Sequence, residues 1–258
     1  MQVSTPFVQV YAMTWKPWHV IAALPSGQLI TLPDQKVTLT SDSLRASLQL
    51  HPSTDLALNE LVGEAHGVTL RSDAGWQVGL PAAVISAAAD VTRANSYRLG
   101  AKISGLVPDA RLMQALAATD LPAAVDEIYL DADAVLTAPL DRHAAETQVE
   151  MQRLEIADMR VNWGALKFSA KGTLTAGPDG LAEGEIALRV EGWKRLPPIL
   201  VAVGLVQPDV APTVERALGI FAQGGDVLQI KLICRDGQMV LGPLPLGPAP
   251  RLRSVSGA

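Results

Sequence analysis

Cys234 is the only cysteine among 258 residues, so the chain can form neither an internal disulfide nor a multi-cysteine zinc or iron–sulfur site. It alternates with Leu228, Ile230 and Leu232, a spacing that puts it on the apolar side of a strand as a small hydrophobe. Charged residues make up only 18% of the chain and the net charge is −5, with no cluster of lysine or arginine. Nucleic acid is therefore excluded as a partner. No apolar run reaches the ~18 residues a membrane-spanning helix needs. The most apolar segment, 199–206, would be about 12 Å long as a helix, at ~1.5 Å per residue. The four histidines, at 19, 51, 66 and 143, share no metal-ligand spacing. There is no Gly-x-Ser-x-Gly elbow, phosphate-cradling Gly-Lys-Ser/Thr loop, His-Glu-x-x-His or dinucleotide fingerprint. The expectation is a protein that is not an enzyme and carries no cofactor or metal.

What is present is aliphatic. Apolar residues reach 48% although aromatics contribute only 4%, and alternation with a period of two dominates. Val37 and Leu39 alternate with Lys36, Thr38 and Thr40; after Ser41-Asp42, Leu44, Ala46, Leu48 and Leu50 alternate with polar residues. That pattern predicts a hairpin reversing at Ser41-Asp42. Similar alternation runs through 97–104, 128–134, 166–171 and 185–191, and Arg235-Asp236-Gly237 predicts another hairpin turn. The sheet should be antiparallel, oily on one side and wet on the other.

Helical spacing is rarer. Met113 and Leu116 share a face within 107–118, Pro197-Pro198 opens a segment containing Leu200, and Val214, Leu218 and Phe221 form a stripe within 210–222. An internal echo organises these pieces. Residues 75–106 line up with 162–193, so that Trp76 matches Trp163 and Gly105 matches Gly192. Each copy reads strand, turn, strand, glycine, helix, strand. The expected fold is α+β and mainly β. It is an elongated curved antiparallel sheet built from two β-β-helix-β repeats, with about three helices on its apolar concave face. A single domain would cover 1–258: N-terminal strands and hairpin over 1–74, a first repeat over 75–140 and a second over 141–258.

The densest chemistry lies at 11–25, YAMTWKPWHVIAALP. Proline interrupts ladder bonding, so Trp15, Trp18 and His19 read first as a strand corner, with the imidazole bonded to a backbone carbonyl. They read second as an aromatic lip on an apolar groove. This string, together with the closing QIKLICRDGQMVLGPLPLGPAP, resembles a bacterial envelope family catalogued as domain of unknown function 2125, found chiefly in alphaproteobacteria. The matching positions are Trp15, Pro17, His19, Val20, Pro25, Asp236, Gly237, Leu241, Gly242, Pro243 and Pro250, whereas Trp18 departs from the small polar residue expected before the histidine. The resemblance implies the periplasmic face of the bacterial inner membrane. It also implies a membrane anchor and further strands ahead of residue 1. The layout is similar to the lipid-handling β-grooves of the AsmA-like type, an analogy of fold alone.

Three functions follow as expectations. The first is a non-catalytic envelope protein that binds or relays a lipid or other apolar ligand. Trp15, Trp18 and His19 would form the groove's lip, and Met113, Leu116, Leu200, Val214, Leu218 and Phe221 its helical walls. The second is an assembly module that pairs with an envelope protein partner through sheet edges. The third, ranked last, is an envelope-polymer hydrolase using His19 or the pair Asp131 and Asp133, two aspartates that alternation places on a solvated face beside Tyr129.

Overall fold

The structure, a computed structural model, describes residues 2–4, 7–242 and 244–254, which leaves Pro243 of the closing motif outside the described residues. Among these, sixteen strands form one open antiparallel sheet. The first eight are β1 (Gln2–Ser4), β2 (Gln9–Met13), β3 (Lys16–Leu24), β4 (Gln28–Thr31), β5 (Lys36–Thr40), β6 (Ser43–Leu50), β7 (Leu58–Ser72) and β8 (Gln77–Ala89). Then come β9 (Ser96–Leu106), helix α1 (Ala110–Ala115), β10 (Val125–Leu136), β11 (Met151–Trp163), β12 (Leu166–Ala176) and β13 (Ala182–Glu191). A short 3₁₀ turn, Trp193–Arg195, leads into α2 (Leu196–Ala202) and α3 (Ala211–Phe221), and β14 (Val227–Arg235), β15 (Gln238–Leu241) and β16 (Leu244–Pro248) finish the sheet.

From β7 onward each strand pairs with its neighbours in sequence, an up-and-down meander without crossovers. The N-terminal third obeys the same rule with broken strands. β1 pairs with β4 and β2 with β3, while β5 and β6 both lie along β7. The hairpin expected at Ser41-Asp42 is therefore not formed. Thr40 pairs with Thr69 and Ser43 with His66, one register carried straight through, and the Asp42 amide bonds the His66 carbonyl at 3.1 Å. The Ser-Asp pair interrupts a strand instead of reversing it. The apolar side switches there from odd to even positions, which imitates a turn in sequence. The actual reversal is eight residues earlier, where β4 and β5 pair around Pro33-Asp34.

The helices are shorter than the apolar spacing suggests. α1 keeps only Ala110–Ala115, capped by Asp109, whose carboxylate accepts from the Arg111 amide at 2.9 Å and also from the Gln77 amide at 2.9 Å. One side chain thus starts the helix and ties it to β8. α2 and α3 both have proline in the first turn, where its missing N–H is tolerated. The order strand, strand, helix, strand occurs at β8–β9–α1–β10 and at β12–β13–α2/α3–β14. Gly105, next to last in β9, and Gly192, just after β13, take φ of +70° and +66°.

Two apolar clusters sit on the helix-bearing face. In the larger, Leu116, Val214, Leu218 and Trp193 from the helical segments pack on Trp163, Leu166, Val190, Leu228 and Ile230 from the strands. Leu218, Leu228 and Val190 keep 1% exposure, so the helices are seated directly on the sheet. The smaller cluster joins Ala170, Leu174, Ala182, Ile186 and Cys234 to Ala249, brought in by the segment after β16.

Candidate functional site

Where the two clusters meet, one row of the sheet is covered only in part. Ala170, Leu188 and Ile230 stand side by side across β12, β13 and β14. On one flank the row Phe168–Val190–Leu228 runs under the helices; on the other, Gly172–Ile186–Leu232 leads into the second cluster. α3 stops short because Gln223 and Gly224 take φ of +49° and +78° and turn the chain away. The C-terminal tail bonds Gly180 and Ala182 through Leu252 and Pro250, and the Ser254 amide donates to the Glu150 carboxylate at 2.7 Å.

The result is a cleft of about 630 Å³ with Ala170, Leu188 and Ile230 as floor and Phe221 and Gly242 as wall. Ala170 and Ile230 keep 3% and 7% exposure while Phe221 keeps 39%, so the cleft is deep at its floor and open at the phenylalanine. Flanking positions contribute mainly backbone, because strand alternation sends their side chains to the opposite face. There Lys231 pairs with Glu185 at 2.9 Å and Arg189 with Glu191 at 3.1 Å. The floor and wall carry no nucleophile and no group that moves a proton. What the arrangement offers chemically is an apolar surface.

The residues expected to form a helical wall divide among different roles. Leu116, Val214 and Leu218 are buried in the packed core, Met113 packs partly buried against it, and Leu200 is half-buried on α2. Of the six, Phe221 alone lines the cleft. The aromatic string lies elsewhere, on β3 and the turn before it, near the other end of the sheet. Trp15 occupies the β2–β3 turn at 72% exposure, and Trp18 and His19 are half-buried. His19 Nε2 lies 2.9 Å from Ser47 Oγ, so the imidazole partner is a hydroxyl on β6 and not a backbone carbonyl. The structure does not bring these three residues to the cleft.

Asp131 is held by Arg98 through two contacts of 3.0 and 2.8 Å, and this hydrogen bonding keeps its carboxyl below the usual carboxylate range. Arg160 stacks over the Tyr129 ring at 4.5 Å. Cys234 is 2% exposed, and burial raises its thiol pKa, which disfavours the reactive thiolate. Gly242 entered the sequence reading only as a position of the family resemblance, and Ala170 and Leu188 were not singled out as site residues. Their alternation was visible, but the signal that one row escapes cover was not.

The sequence pattern of a bacterial family described as "uncharacterized protein conserved in bacteria (DUF2125)" matches residues 1–250. No curated protein matches the chain.

Proposed function

We propose that this chain, which belongs to the family of domain of unknown function 2125, is a non-catalytic bacterial envelope protein that holds an acyl chain or similar apolar ligand in the cleft over Ala170, Leu188 and Ile230. The carrying observation is that cleft, about 630 Å³ of apolar-lined space beside tightly packed helices. Its size falls within the ~300–1,000 Å³ of ordinary ligand pockets. Burying methylenes there contributes about 0.8 kcal/mol each, so roughly ten of them offset the ordering costs that association imposes. The aliphatic floor favours binding over catalysis. The reading includes a periplasmic location. It also includes descent from a duplicated β-β-helix-β unit, which the matched left-handed Gly105 and Gly192 support.

Native mass spectrometry of gently purified protein, before and after incubation with phospholipid or dodecanoate, tests it. Bound acyl species are expected, and they should be lost when Ala170→Phe fills the floor. A bare protein mass under both conditions would overturn the reading.

A further inference from the structure

The floor of the cleft does not end at Ala170. In the same cross-strand register Ala170 stands beside Met159, Met159 beside Leu130, Leu130 beside Ala101, and Ala101 beside Ile85. Beyond Ile85 the row passes through Gly63 and Ala46 to Ala22 on β3. Counted from Ala22 to Ile230 it crosses ten strands, and nine spacings of ~4.8 Å make it roughly 43 Å long. The rows on either side, from Leu24 to Leu228 and from Val20 to Leu232, likewise contain no polar side chain. The same strands carry charge on their opposite face, where Arg45, Glu64, Lys102 and Arg160 share one row. Among the described residues, neither apolar cluster includes a residue of β6, β7 or β8. Ile85, on β8 and far from either end of the sheet, is 53% exposed.

We propose that this face is one continuous apolar track, and that it takes a second acyl chain over Ile85, across β7, β8 and β9, besides the one in the cleft. The proposal rests on the acyl-binding reading of the cleft and extends it along the sheet. Length is the first argument. The hydrocarbon core of a bilayer, two acyl chains deep, is ~30 Å thick, so a chain seated in the cleft leaves most of the row unfilled. Chemistry is the second. A protein partner brings about one hydrogen bond per 100–200 Å² of interface, whereas these three rows offer no polar side chain and their backbone groups are spent in the strand ladders. An aliphatic chain asks for none. Gly63 also shapes the second position, because a β-carbon there would stand 3.0 Å from Ile85 Cγ1. The isoleucine therefore has room to lie low on the sheet. Between the two positions Leu130 and Met159 are half-buried and uncharged, so nothing polar separates them.

Native mass spectrometry of the full chain titrated with dodecanoate should show at least two bound molecules. Ile85→Lys places a charge in the middle of the row at an exposed position, so circular dichroism should stay unchanged while one bound molecule is lost. Ala170→Phe should remove the cleft-bound molecule and leave the one over Ile85. Val84→Lys, on the next residue but the opposite face, should leave both in place. A single bound molecule that is lost with Ala170→Phe and kept with Ile85→Lys would overturn the second position and spare the cleft; that is also the outcome if a protein segment covers β7–β9. No bound dodecanoate in the parent would overturn the cleft reading and this one with it.

Discussion

Phe221 and Gly242 close the wall of the cleft together: a β-carbon placed on Gly242 would stand 3.6 Å from Phe221 Cζ and 2.7 Å from Ile230 Cδ1. The backbone there has φ of +56°, which side chains other than glycine adopt with strain. The width of the apolar space thus depends on an atom that is missing from one residue.

Gly242→Val should therefore act twice. Crowding of Ile230 and the positive φ should lower stability by about 1–3 kcal/mol, the usual cost of overpacking. Acyl binding should fall in the same variant. Chemical denaturation and a dodecanoate titration measure the two effects, and an unchanged midpoint would mean that the glycine is not needed for space.

Leu218 and Leu205 offer a paired comparison. Leu218, on the buried side of α3, is 1% exposed, whereas Leu205, after α2, is 74% exposed. Leu218→Ala should cost about 2–5 kcal/mol by leaving a cavity, and Leu205→Ala should stay within about 0.5 kcal/mol of the parent. Equal effects in urea denaturation would contradict helices seated directly on the sheet.

Tyr97 is 4% exposed, and its hydroxyl accepts the Leu140 amide at 2.8 Å, fastening the loop between β10 and β11 to β9. Tyr97→Phe leaves that amide without its acceptor, at a cost of about 1–3 kcal/mol. Hydrogen exchange should quicken at Leu140 and Arg142 while protection along β12 and β13 is retained.

The pH dependence follows from Asp109. Its hydrogen bonds to the Gln77 and Arg111 amides hold its carboxyl below the ordinary value. A lowered folded pKa means that the stabilisation is complete above the unfolded carboxylate value and fades as pH falls through the lower, folded one. Thermal melts from neutral to acid pH should show the parent losing more stability than Asp109→Asn across that window. Parallel curves would dissociate the cap from acid sensitivity.

Much of the architecture was written locally. Alternation along 97–104, 166–171 and 185–191 already assigned strands and faces, because a pleated backbone has period two whatever it pairs with. Asp236-Gly237 likewise foretold the β14–β15 hairpin, which pairs Arg235 with Gln238. Ser41-Asp42 misled because a change of apolar parity has the same local signature whether the chain reverses or continues along a long neighbour such as β7. The helix stripe misled in another way. Leu116, Val214 and Leu218 are apolar on one face, and an apolar face is equally suited to fill a core or to border a groove.

By itself, then, the amino-acid order determined an antiparallel, mainly β chain with three helices, one oily face and membership in its family. Tertiary structure alone decided that β5 and β6 share β7, that the helices press onto the sheet, and that the row Ala170–Leu188–Ile230 borders an open cleft. Strand character is set by neighbours one or two residues away. Cover over a given row is set by where α3 and the C-terminal tail come to rest, through contacts between residues as distant as Phe221, Gly242 and Ala170.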